Sequence, residues 1–229
     1  MAEFADHALL IRRIPYGDTS LICHFFTEQH GRMVLMARGA RRPKSHFRAS
    51  LEPLHDLNIN WRSGRNGMGT LTDIHRGDAL LEPSLALHGL EVVAIASRLF
   101  QDGDSHGFSE TLAALGLLLK REQQQGLFAA VWYILDVAGW LGNFSHCWHC
   151  GREEEQAMFW QRGQLVCDAC GRGMKVSAGL RKSVAGMMSG GNVRFSDKDS
   201  RLWREMIRQV LQEHGIRATD SFRNDRGGL

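Results

Sequence analysis

This chain of 229 residues has no stretch long and apolar enough to cross a membrane as a helix. The nearest candidate, Gly126 to Leu135, is closed by Asp136 and falls far short of the roughly 20 apolar residues a spanning helix needs. The N-terminus begins Met1-Ala-Glu-Phe-Ala-Asp6, with acids where a secretory leader carries a basic region, and it offers no small-residue cleavage site. Proline is scarce, at 4 residues, so collagen-like composition is excluded, and 43% hydrophobic residues exclude whole-chain disorder. Also missing are GxxxxGK[ST], a GxGxxG that opens a helix, HExxH, and HxE followed by PCxxC. These absences point to a soluble cytoplasmic protein of one or two domains, with no membrane partner and no recognisable catalytic constellation.

The formal net charge is only +3, but it is a sum of unlike regions. Residues 1–80 hold 11 basic and 8 acidic side chains, residues 81–170 hold 5 and 11, and residues 171–229 hold 12 and 6. Basic ends around an acidic middle leave the ends free to meet a polyanion.

Four of the 5 cysteines form two pairs, Cys147-Trp-His-Cys150-Gly and Cys167-Asp-Ala-Cys170-Gly. This spacing matches a four-cysteine zinc template, in which each pair grips one metal and the intervening chain returns as a hairpin. The glycine after each second cysteine suits a turn that needs a permissive backbone angle. Ala157–Trp160 and Gln164–Val166 read as the hairpin strands around Arg162-Gly163. Two disulfides or a redox CxxC are the competing readings, less suited to a cytosolic chain and to a doubled motif. His146 and His149 are alternative ligands, but four thiolates already complete a tetrahedron, which makes one structural Zn2+ the expected cofactor. Cys23, within Leu21-Ile-Cys-His-Phe-Phe26, reads as a small buried hydrophobe.

Five short strands are expected at 7–14, 19–26, 32–38, 54–61 and 70–75, rich in branched and aromatic residues and punctuated by glycine. Five strands with one longer basic connection suit a closed barrel of the OB type better than a two-sheet sandwich, although periodicity alone leaves both open. After Glu82-Pro83 the pattern becomes helical at 89–101, 108–124, 127–140, 178–188 and 199–214. The last seven residues, 223–229, read as a frayed tail. The chain is therefore read as α+β: an OB-fold domain over 1–80, then an α-helical domain over 81–229 with an inserted four-cysteine zinc-ribbon-like hairpin over 145–173.

The densest functional signal is Arg38-Gly-Ala-Arg41-Arg42-Pro-Lys44-Ser-His-Phe-Arg48, with five positive charges and no acid. Arginine and lysine there would neutralise phosphates while Phe47, Tyr16 or Trp61 stack on bases, as in sequence-tolerant single-strand binding. A solvated loop of no function is the competing reading.

Leu10-Ile-Arg-Arg-Ile-Pro-Tyr-Gly-Asp18, Phe26-Thr-Glu-Gln-His-Gly-Arg32, Ala37-Arg-Gly-Ala-Arg-Arg42 and Leu51-Glu-Pro-Leu54 resemble the N-terminal OB domain of the bacterial RecO family. The helical region interrupted by the two CxxC pairs is similar to that family's C-terminal domain. The resemblance implies a recombination mediator in DNA repair that is not an enzyme, binds single- and double-stranded DNA and anneals complementary strands. It implies contact with the tail of the single-strand-binding protein SSB, action with RecR, indirect service to RecA, and a place in the nucleoid. Carried onto this chain, the DNA surface would comprise Arg12, Arg13, Arg38, Arg41, Arg42, Lys44 and Arg48. An acidic, apolar SSB tail would need a basic and apolar seat, for which the last third suits better than the acidic middle. A zinc-containing sequence-specific transcription factor and a protein-interaction scaffold remain as rivals, the first disfavoured by the acids Glu153-Glu-Glu155 in the zinc loop.

Overall fold

The structure is a computed structural model that describes residues 2–64, 68–102, 104–153, 156–191, 193–217 and 220–222. The expected tail at 223–229 lies outside them, as do Glu154 and Glu155. The chain divides into two compact units, Met1–Gln123 and Gln124–Leu229.

Five strands form the first unit's barrel: β1 (Glu3–Tyr16), β2 (Ser20–Thr27), β3 (Gly31–Ala37), β4 (His55–Arg62) and β5 (Gly69–Ala79). Their order around the closed barrel is β1-β2-β3-β5-β4, with β4 returning to pair with β1. Closure is made by a short parallel pairing, Leu35 with Gly69 and Met36 with Thr70. Gly69 is needed there for space, since a Cβ would come within 2.8 Å of the Leu35 side chain. The sandwich alternative is thereby excluded, and the fold is the five-stranded OB barrel.

Alternation along the strands selects the core. In β4, Leu57, Ile59 and Trp61 point inward while Asn58, Asn60 and Arg62 face out. They meet Ala8, Leu10, Cys23, Phe25, Leu35, Leu71 and Ile74 inside the barrel. Cys23 is fully buried, and desolvation pushes its thiol up to about 12, so it is an inert core residue. One turn of helix that the sequence reading lacked, α1 (His46–Ser50), follows β3 and turns Phe47 into this core.

Two helices complete the first unit, α2 (Ala86–Leu99) and α3 (Phe108–Leu119). The Gln-His-Gly-Arg turn between β2 and β3 ties them to the barrel. Arg32 donates to the carbonyls of Ser97 and Phe100 at 2.9 and 3.0 Å, capping the negative end of α2, and its Nε lies 2.8 Å from Asp102. Gly31 sits at φ +65°, and a Cβ there would collide with the Asp104 carbonyl oxygen. Only glycine satisfies both demands.

The second unit is organised by α4 (Gln123–Val137), apolar nearly all round and correspondingly buried from Leu127 to Trp132 and at Ile134 and Leu135. Its aromatic side chains pack with those of the cysteine module and of the last helix: Trp132 lies 5.9 Å from Trp160 and 6.0 Å from Trp203 between ring centres. Two capped helices follow, α5 (Ala178–Met188), begun by Ser177, and α6 (Asp197–Glu213), begun by Ser196. In α6, Trp203, Met206, Ile207, Val210 and Leu211 form the buried stripe. Among the described residues, no helix is long and apolar enough to cross a membrane.

Candidate nucleic-acid interface and metal centre

The seven cations expected to meet DNA are all exposed, but the fold does not hold them as one group. Arg12 and Arg13 are neighbours on β1, beyond an irregularity between Leu10 and Arg12. Successive strand residues face opposite sides. Arg13 lies opposite Cys23 and turns toward the barrel's inner side, while Arg12 lies opposite His24 and turns outward. Burial first, and then the charges of Arg12 and Arg32, hold the His24 imidazole below its ordinary value. Arg12 is thus separated from the basic loop and belongs to the side where Phe26 meets Phe100 of the helices, 6.1 Å between ring centres.

Arg13, Arg41 and Arg48 come together. They line one pocket of about 360 Å3 whose remaining walls are Leu21, Ala40, Phe47 and Leu51. Arg13 Nη1 donates to the Leu51 carbonyl at 2.5 Å and lies 3.5 Å from Glu52. Arg41 Nη1 donates to the Gly17 carbonyl at 3.1 Å, so two of the three guanidinium groups are oriented by backbone oxygens. Among the described residues, Glu52 is the single acid within ion-pair distance of any of the seven. Arg38, Arg42 and Lys44 stand exposed on the same connection, which leaves the barrel end strongly positive.

Two of the three expected stacking residues are placed elsewhere. Phe47 and Trp61 are 6% and 2% exposed and belong to the barrel core; Tyr16, at 53%, remains on the surface. The alternation of Leu57, Ile59 and Trp61 was the signal that Trp61 faces inward. For Phe47, inside a charged loop, no such pattern exists. The sequence reading also missed Leu21, Ala40 and Leu51, which join the arginines only through the closed barrel.

The four paired cysteines form a second site, with their Sγ atoms all within 4.8 Å of one another. Each pair is delivered by a tight turn: Gly151 N–H donates to the Cys147 carbonyl at 2.9 Å, and Gly171 N–H to the Cys167 carbonyl at 3.1 Å. Gly151 has φ +70° as expected, whereas Gly171 is not in the left-handed region. Its requirement is room, because a Cβ would approach Val166 Cγ2 to 2.8 Å. Between the turns run β6 (Met158–Gln161) and β7 (Gln164–Val166), joined through Arg162 and Gly163, both at positive φ. A third strand absent from the sequence reading, β8 (Met174–Val176), pairs with β6 on its other side. Buried Arg181 of α5 fastens the module by donating to the Phe144 and Gln156 carbonyls.

The sulfur electrostatics fit a cation. Burial alone would raise the Cys147 thiol, but N–H groups of Cys167, Cys150 and His149, with the Cys150 thiol, outweigh it and bring the group to about 6. Cys167 N–H lies 3.3 Å from the Cys147 sulfur. Hydrogen bonding to the Cys167 and Cys150 sulfurs, then burial and the Cys147 charge, hold the Cys170 thiol up at about 12. N–H donors favour negative charge at Cys147 while the neighbouring sulfurs oppose it at Cys170, so the protein's own donors compensate the four clustered sulfurs only in part. A bound metal ion would relieve that crowding, and the donor set can hold one.

The cations of the last third are less uniform than their number suggests. Arg181 is buried, Arg172 donates to the Asp168 and Gly171 carbonyls of the second turn, and Arg208 pairs with Glu205. Lys175, Lys182, Arg194, Lys198, Arg201 and Arg217 remain exposed.

The family model described as Recombination protein O N terminal matches residues 1–76, and Recombination protein O C terminal matches residues 83–221. A DNA repair protein RecO from Actinobacillus pleuropneumoniae serotype 7 (strain AP76) is 32% identical over 167 residues, covering 70% of this chain and 69% of its own length. The protein of that name from Proteus mirabilis (strain HI4320) is 31% identical over 159 residues, 67% of this chain and 64% of its own. That from Laribacter hongkongensis (strain HLHK9) is 44% identical over 69 residues, 30% and 28% of the two chains.

Proposed function

The chain belongs to the RecO family of bacterial DNA repair proteins, and from that membership we propose that it is a non-enzymatic recombination mediator that works by electrostatic capture of DNA strands. The observation that carries this is the exposed cation cluster at the barrel end, with one contacting acid among the described residues. Arg13, Arg38, Arg41, Arg42, Lys44 and Arg48 neutralise phosphates there, with Arg12 as an outlying contact. Single and double strands both present phosphates, so both bind. When two complementary strands are held together, the lowered repulsion lets bases search for register, and annealing accelerates without a chemical step.

Residues 1–80, the barrel of the first unit, act as the DNA-binding part, and the helical remainder over 81–229, which includes α2 and α3 of that unit and the cysteine module at 145–173, acts as the partner-binding part. The exposed cations of residues 172–217 supply a second DNA contact or the seat of the acidic SSB tail. In the cell this places the protein in the cytoplasm, with the nucleoid, acting with RecR so that RecA reaches SSB-covered gaps. Cys147, Cys150, Cys167 and Cys170 hold one Zn2+ whose role is structural, since four thiolates leave no position open for water.

The test is strand annealing of SSB-coated complementary DNA with and without the protein. Acceleration is expected, and it should disappear when Arg41, Arg42 and Lys44 are changed together to Ala. An unchanged annealing rate in the presence of the wild-type protein overturns the reading.

A further inference from the structure

We propose that Cys150 is a site of oxidation by hydrogen peroxide, that Cys167 closes a disulfide onto it, and that this reaction expels the metal from the cysteine centre. The inference rests on the metal reading above and adds a chemical modification to it.

The centre is reachable from one side. Cys147 and Cys167 are 1% and 0% exposed, Cys170 is half-buried and Cys150 is exposed, so a small oxidant arriving from solvent meets the Cys150 sulfur first. Oxidation of a cysteine follows its thiolate character and its exposure, and a metal-bound cysteine is a thiolate. Four thiolates outnumber the two charges of Zn2+, which leaves the sulfurs electron-rich. The Cys167 N–H, 3.3 Å from the Cys147 sulfur, draws on that excess where the centre is buried.

The second thiol is at hand. Cys150 Sγ and Cys167 Sγ lie 3.8 Å apart although they come from different turns, and a disulfide of about 2.05 Å requires them to close by about 1.8 Å. The Cys150 thiolate attacks the peroxide, the O–O bond breaks, and a sulfenic acid forms as hydroxide leaves. The Cys167 thiolate then attacks the Cys150 sulfur, the S–O bond breaks, and a second hydroxide leaves as the disulfide forms. Two thiolates are oxidised, one peroxide is reduced, and solvent protons neutralise both hydroxides.

Cys147 and Cys170 remain, half of the donor set, and the ion is no longer held. Cys23 is fully buried in the barrel and takes no part, so the change is confined to the module. Its effect reaches the second unit's core through Trp160 of β6, between the turns, which packs against Trp132 of α4.

The experiment uses the full-length protein as purified, with its zinc content measured first by elemental analysis. Hydrogen peroxide in modest excess should release about one zinc for every two thiols lost, read with a zinc-binding dye and a thiol count. Peptide mapping should find the first cross-link between Cys150 and Cys167, with Cys23 still a thiol. The melting temperature of the second unit should fall as it does with a chelator, and dithiothreitol with added zinc should restore it. Zinc retained under peroxide, zinc lost without loss of thiols, a first cross-link that joins any other pair, or a change that the reductant fails to reverse overturns the proposal. Protein that holds no zinc while all four thiols are reduced overturns the metal reading beneath it, and the proposal falls with it.

Discussion

In the cysteine module, two short turns each deliver two sulfurs to one point, whereas the basic site draws Arg13 from β1, Arg41 from the loop after β3 and Arg48 from α1. The first site is closed and defined by local spacing; the second is open and exists only once the barrel has formed. The two should therefore fail differently. Loss of one thiol should disable a site that draws on all four sulfurs, while loss of one arginine should weaken a surface to which several cations contribute.

The largest effect is expected at the closed site. Metal binding at such a centre is coupled to folding and is worth on the order of 10 kcal/mol, so a chelator or Cys147→Ser should lower the melting temperature of the second unit by more than about 10 °C. DNA binding by the barrel should persist at temperatures where the first unit stays folded. Loss of DNA binding with folding intact would erase the distinction between the two sites.

At the open site the response should be graded. Arg41, Arg42 and Lys44 to Ala should weaken single-strand binding across all sequences and make the salt slope shallower by about 2. Single changes should each produce a fraction of that effect. A single change that abolishes binding would show the patch to be as closed as the cysteine centre.

A smaller effect tests whether the barrel needs its helices. Gly31→Ala introduces a Cβ at φ +65° beside the Asp104 carbonyl and should destabilise the first unit by about 1–3 kcal/mol, read by urea unfolding. The same midpoint as wild type would mean that the joint is slack.

The smallest concerns pH. Burial raises the Glu110 carboxyl, but N–H groups of Gly107 and its own backbone, with His106 and Ser109, outweigh it and hold it below the ordinary value. Its folded pKa is depressed, so its contribution to stability is present above the unfolded carboxylate pKa of about 4.3 and is lost as pH falls through the folded value. Glu110→Gln should be less stable than wild type by a few tenths of a kcal/mol at pH 7, and the gap should close in acid. A gap that widens in acid contradicts the assignment.

What could be read from the sequence follows the same division. The cysteine centre was legible because both pairs and both hairpin strands are local, although β8 pairs from outside the motif and Gly171 serves space instead of backbone angle. The strands were legible from their branched and aromatic residues and their glycine punctuation; the alternation of Leu57, Ile59 and Trp61 carries the further signal that Trp61 is core and not a stacking platform. Helix α1 spans five residues, too few for a periodic pattern, so the burial of Phe47 left no trace. The irregularity between Leu10 and Arg12, which turns Arg13 and not Arg12 toward the inner side, depends on pairing with β2 and is invisible in β1 alone.

The central claim is that DNA is held through its phosphates by the cations at the barrel end, and salt dependence tests it most directly. Binding of a mixed-sequence single strand measured from low to moderate salt should give log K against log salt with a slope near about −3.5, corresponding to about five neutralised phosphates. A flat response would contradict it.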